Sequence, residues 1–181
     1  MTPEKLLEAA KSQFLVLYHN DETALGKLLR SSLGTFQDRA GAFREMAFEA
    51  GATELPFPDH FLYVVNVLDK RGNFLTWIEN DTTISLVMQP RSVAPFKLTY
   101  GLNLRDWPVD RDLPGEVISL TLEHLISAIE LPNTQRARKA AVATGQQVEF
   151  PSDETLLNKK MLIEQAMEDS MMMLPMMTVR V

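Results

Sequence analysis

The hydrophobic pattern of this chain changes period twice, from helical to strand-like beyond Gly51 and back to helical near Asp112, and any fold must accommodate both changes. Apolar residues recurring every three or four positions share one face of a helix, whereas alternation suits a half-buried strand. From Pro3 to Tyr18, Leu6, Leu7, Ala10, Phe14 and Leu17 share such a face, with Thr2 placed to cap and Pro3 suited to the first turn. His19-Asn20 ends this helix, and Asn20 or Asp21 can cap a second one carrying Leu25, Leu28, Leu29, Leu33 and Phe36. The spacing continues through Ala40, Phe43 and Ala47. A kink or break is expected near Gly41, because glycine inside a helix costs about 1 kcal/mol relative to alanine.

Pro56 and Pro58 stop any helix, and His60 to Asp69 is rich in Phe, Leu, Tyr and Val, the composition of a strand. Lys70-Arg71-Gly72-Asn73 reads as a turn, Phe74 to Glu79 as a second strand, and Asn80-Asp81 as the next turn. Thr83 to Met88 and Phe96 to Leu104 supply a third and a fourth strand, with Pro90 and Pro95 between them. After the loop Arg105 to Pro114, Val117, Leu120, Leu125 and Ile129 mark a helix from Leu113 to Leu131, closed by Pro132. A short helical stretch from Thr134 to Ala143 follows. Ser152 or Asp153 can cap a last helix running from Glu154 to Met173, ended by Pro175. The expected architecture is α+β: a mainly helical bundle formed discontinuously by residues 1–55 and 105–173, a small antiparallel β-insertion over 56–104, and an extended C-terminal arm over 174–181.

At 181 residues, one core of good size is the default. The absence of cysteine removes disulfides, thiolate nucleophiles and zinc–cysteine sites. A net charge of −6 opposes general binding to a phosphate backbone. Met1 to Lys5 lead into an amphipathic pattern without the apolar centre of a signal peptide, so the chain is expected to be made and used in cytoplasm, away from membrane.

Catalytic patterns are missing. His19, His60 and His124 have no ligand spacing to one another, and the sequence contains no nucleophile elbow, phosphate-binding glycine loop or His-Glu-x-x-His helix. Asp106, Asp110 and Asp112 superficially suggest a calcium loop. If Asp110 opened it, however, Pro114 and Thr121 would occupy the fifth and twelfth positions, where oxygen ligands and a bidentate glutamate are needed. Asp112 instead suits the start of a helix. Arg136, Arg138 and Lys139 form a basic run without interleaved aromatics, which favours a solvated face over nucleic-acid stacking. Trp77 reads as core packing in a strand, while Trp107, in a loop before Pro108, reads as an exposed contact residue. No catalytic residue, cofactor or metal is expected.

The C-terminus carries the main candidate for binding. Met171, Met172, Met173, Met176 and Met177 crowd around Leu174 and Pro175, and Val179 and Val181 follow. Methionine is flexible and polarizable, suited to filling an irregular apolar surface offered by another body. A terminus this apolar needs cover, either from its own domain or from a partner. Together with Trp107, these residues are the expected partner-binding set.

Three features resemble the head-to-tail connector, or adaptor, proteins of short-tailed bacteriophages. They are the opening helices with Asp21-x3-Leu25-x2-Leu28-Leu29, the β-insertion between Pro56 and Leu104 that re-enters helix at Asp112-Leu113-Pro114, and the terminal helix from Leu156 to Met173 followed by a tail. The resemblance implies a non-enzymatic virion protein, assembled in the host cytoplasm as a homo-oligomeric ring, typically a dodecamer. It would join the portal protein to a tail tube or nozzle protein and continue the DNA channel without sequence-specific binding. An acidic lumen would repel passing DNA. Two other readings stay open: a soluble bacterial adaptor or regulatory module that binds peptides, and an enzyme using Asp106, Asp110, Asp112 or His124.

Overall fold

The computed structural model describes residues 1–49, 53–87 and 91–171. It has four helices and two three-stranded antiparallel sheets, an α+β fold. The chain divides into two compact units, one built from Met1–Gly41 and Arg105–Val181, the other from Ala42–Leu104.

In the helical unit, α1 spans Pro3–Lys11 and α2 spans Glu22–Arg39. The Thr2 hydroxyl accepts the Lys5 N–H, and Asp21 accepts those of Thr23 and Ala24 at 2.9 and 3.2 Å, so both starts use the expected caps. Leu6, Leu7 and Ala10 of α1 and Leu25, Leu29, Leu33 and Phe36 of α2 enter the core. α1 ends earlier than its periodicity suggests, and residues 12–21 connect it to α2 without regular structure.

Helix α3 spans Gly115–Thr144, 30 residues or about 45 Å. The expected closure at Pro132 does not occur. Pro132 lies inside the helix, where it lacks the N–H that would reach the Ala128 carbonyl. Burial explains the continuity: Leu125, Ile129, Asn133, Ala137 and Ala141 are all buried at steps of four, so the inward-facing line runs straight past the proline. Gly145, with φ 68°, terminates α3. Helix α4, Asp153–Asp169, begins at Ser152, whose hydroxyl accepts the Thr155 N–H at 3.1 Å.

The other unit contains β1 (Phe43–Phe48), β2 (Glu54–Pro56), β3 (Phe61–Leu68), β4 (Thr76–Glu79), β5 (Thr83–Val87) and β6 (Phe96–Leu102). The sheets are ordered β1-β6-β3 and β2-β5-β4. Helical continuation through Phe43 and Ala47 is corrected here. Gly41 adopts φ 71° and stops α2, and the following residues pair with β6 from Phe43↔Gly101 to Phe48↔Phe96. Met46 and Phe48, two positions apart, pack against a core of Leu55, Val64, Val67, Ile84, Phe96 and Leu98. Trp77 also packs against this core, as its strand position suggested. The turn after β3 forms where expected: Asp69 accepts the N–H groups of Arg71 and Asn73 at 2.8 and 2.9 Å, and Gly72 takes φ 81°.

Candidate functional site

Three features of the helical unit carry its chemistry: a buried polar junction, an exposed apolar stripe and an apolar groove. The junction joins α2, α3 and α4. His124 Nδ1 lies 2.9 Å from Ser32 Oγ, and His124 Nε2 lies 3.3 Å from Glu164 Oε1. Arg39 donates to Glu164 Oε2 at 2.8 Å and also reaches Glu168. A carboxylate only accepts, so Nε2 carries the imidazole proton and Nδ1 accepts from the Ser32 hydroxyl. Burial holds the His124 pKa below the usual histidine value, against the opposing pull of Glu164.

Serine, histidine and glutamate are the residue types of an acyl-transfer triad, but this arrangement differs from one. The hydroxyl faces Nδ1 and the carboxylate faces Nε2, the reverse of the catalytic order. Ser32 is also fully buried, leaving its oxygen no approach to a substrate. The junction is therefore a clamp that orients α4 on α2 and α3.

A second clamp holds the connector between α1 and α2. Asn133 Oδ1 accepts the N–H groups of Tyr18 and His19 at 2.6 and 3.1 Å, while its Nδ2 donates to the Val16 carbonyl at 3.2 Å. Arg136 donates to the Tyr18 carbonyl at 3.1 Å. His19 is buried, and burial followed by the nearby Arg136 charge lowers its pKa. Sequence reasoning singled out neither Asn133 nor the Ser32–Arg39 side of the junction. The only local cue was an asparagine directly after a proline, which reads as a helix stop.

The stripe lies on α4. Leu156 and Met167 are buried, but Leu157, Met161 and Leu162 are exposed, Leu162 to 67%. Leu157 and Met161, four positions apart, share one side of the helix, while Leu162 lies about 100° further round, and all three fall between Glu154 and Asp169. Ile126 of α3 and Ile163 extend the apolar area in a shallow groove beside Leu162. The second groove, of about 520 Å³, is bounded by residues 13–18, the second half of α3 and residues 146–150. Leu15 at its edge is fully exposed, with Val16, Val142 and Val148 also open to solvent.

Of the expected partner-binding residues, Met171 is 53% exposed just beyond α4, its N–H donating to the Glu168 carbonyl at 3.1 Å. Met172, Met173, Leu174, Met176, Met177, Val179 and Val181 lie outside the described residues. Trp107 corrects its expectation of exposure. It is 5% exposed, its indole N–H donates to the Arg111 carbonyl at 3.2 Å, and the Arg111 guanidinium lies 5.5 Å from the ring centroid. Arg30 also reaches the Trp107 carbonyl. A proline-rich loop thus folds over its own tryptophan.

Asp106 and Asp110 stay solvent-exposed. Asp112 lies 2.8 Å from the Met1 amine, whose hydrogen bond holds the carboxyl below its usual range. Arg138 pairs with Asp153 at 2.6 Å, placing one member of the basic run in an α3–α4 contact. Among the described residues, no cluster of three histidine, aspartate or glutamate side chains could hold a metal, and no helix is long and apolar enough to cross a membrane. No family model and no curated protein matches this chain.

Proposed function

We propose that the protein is a structural subunit of a phage head-to-tail connector, a ring of identical chains that joins the capsid portal to the tail and continues the DNA channel. The observation that carries this reading is the outer face of α4, where Leu157, Met161 and Leu162 lie open to solvent and lead toward Met171 and the methionine-rich sequence beyond it. A subunit that acts alone has little use for an apolar stripe followed by an apolar terminus. A ring subunit buries apolar surface twice, within itself and against its neighbours. The net charge of −6 suits a passage for DNA, since a negative wall repels the polymer. In the family it resembles, twelve copies form the ring, and tail tube or nozzle proteins dock beneath it.

Deleting Met171 to Val181 tests the role of the terminus. The shortened subunit is expected to keep its helical circular-dichroism spectrum yet fail to co-sediment with the portal. A truncated chain that joins the portal as well as the full chain does would refute the docking arm.

A peptide-binding module is the second reading, favoured by the groove of about 520 Å³ beside α3. Mass measurement separates the two. A species that stays single with the portal present, while retaining an apolar peptide, belongs to the module.

A further inference from the structure

We propose that α4 is a hinged strap over a polar seat on α2 and α3, lifted as a unit in mild acid when His124 takes its second proton, while α1, α2 and α3 stay folded.

The apolar hold on α4 is small. Only Leu156 and Met167 of its 17 residues are buried, whereas α1, about half as long, buries four. Steps of three and four from Leu156 to Met167 pass through Lys160 and Glu164, so the centre of the inward line is charged. The seat facing that centre is polar as well. Ser32 and His124 are buried there, and Thr121, one turn before His124 on α3, is buried with its hydroxyl oxygen unpartnered among the described residues. Water can serve these groups once α4 leaves, so exposing them costs far less than exposing apolar side chains. Ion pairs supply much of the remaining hold: Arg39 with Glu164 and Glu168, Arg138 with Asp153, and Lys159 with Glu130. Each has one side chain more than a third exposed, and pairs of that kind contribute little. Residues 146–152 join α3 to α4 without regular structure, and residues 142–149 are exposed, so the link can bend without giving up burial.

His124 is the group in this seat whose charge responds to mild acid. Its Nδ1 accepts from the Ser32 hydroxyl, so a second proton there has to turn that hydroxyl away inside a site closed to water. The charged groups that act on the ring are Glu164 and Lys160 of α4 and Arg39 of α2, and the Glu164 carboxylate is already shared with Arg39. Burial, helped by the two cations, keeps the closed imidazole neutral against the pull of Glu164. Lifting α4 removes Glu164 and Lys160 and lets water reach the ring, which then takes the proton near the usual pKa of 6.5. Protons therefore favour the lifted form.

Hydrogen exchange read by mass spectrometry in the dilute full chain tests this at pH 8, 6.5 and 5, with each rate divided by that of the unfolded chain at the same pH. A lifted helix of 17 residues is marginal in water, so its amides exchange. Protection across α4 is expected to fall about tenfold between pH 6.5 and 5, with α2 and the first half of α3 changing less than about twofold. His124→Gln should hold α4 protection level over the same range. Because the chain has no cysteine, Met167→Cys and Leu33→Cys give a second reading that does not need the histidine variant. Both side chains are fully buried, and dithiodipyridine labelling, normalised in the same way, should speed up in acid for Met167→Cys and not for Leu33→Cys.

Equal loss of protection in all the helices, α4 protection that is flat with pH, a fall that persists in His124→Gln, or equal labelling of the two cysteine variants would each overturn the strap. None of these outcomes bears on joining the portal, which the chain lacking Met171 to Val181 tests.

Discussion

Asn133 satisfies three backbone groups of residues 16–19 with one side chain. Asn133→Ala removes an acceptor for two N–H groups and a donor for a carbonyl. A buried polar group left without a partner costs about 1–3 kcal/mol, so urea unfolding should show a loss in this range. Proteolysis should also begin within residues 12–21. His124 makes a different prediction, about pH. Burial lowers its folded pKa below the usual 6.5, as it does for His19, so the unfolded chain binds protons more readily than the folded one. Stability is then complete above about pH 6.5 and declines as pH falls through the window below it. Urea midpoints at pH 8, 6.5 and 5 measure this, and His124→Gln should flatten the decline. An unchanged slope in that variant would mean that another group governs it.

Helix α4 shows how one element can serve two environments. Its inward side is fixed by Leu156, Met167 and the Glu164 contacts to His124 and Arg39, while its outward side is apolar and open. Met167→Ala should cost about 2–5 kcal/mol, because it opens a cavity at a fully buried position. Met161→Lys, at an exposed position, should stay within about 0.5 kcal/mol of the parent in the single subunit. Unequal effects on stability from two methionines on one helix would confirm that the faces differ. In α3, Pro132→Ala restores an N–H toward Ala128 and removes the pyrrolidine ring. Chemical denaturation should show a gain of up to about 3 kcal/mol. A loss instead would show that the local shape imposed by the proline is needed for packing along the line from Leu125 to Ala141.

At the level of the whole sequence, the residues of the helical unit flank in chain order the segment that forms the sheets. This arrangement requires the chain to leave helix and return to it, and both exits are chemically marked. Gly41 leaves through a left-handed backbone, and Leu113-Pro114 returns at the start of α3. The predicted assembly depends on surfaces of the helical unit and on the sequence after Ser170. Adding salt should therefore weaken assembly by no more than the share that surface ion pairs contribute, with apolar burial supplying the rest. Sedimentation between low and physiological ionic strength measures that share.

Local chemistry in the sequence was sufficient for the elements whose signals are short-range. Thr2, Asp21 and Ser152 cap helices because a side-chain oxygen needs only the N–H groups two or three residues ahead. The Asp69–Asn73 turn and the strands from Phe61 onward were legible for the same reason, as was the α+β class. Three outcomes depended on distant partners. β1 is a strand because β6, some fifty residues away, supplies its ladder, although Phe43 and Ala47 also fit a helical spacing. α3 passes Pro132 because a continuous buried line holds both halves against neighbouring helices, outweighing one lost hydrogen bond. The Ser32–His124–Glu164–Arg39 junction exists only after helices far apart in sequence are packed together, since each polar atom finds its partner across that packing, and Trp107, whose indole N–H has a local acceptor in Arg111, also takes a distant donor, Arg30 of α2, at its carbonyl.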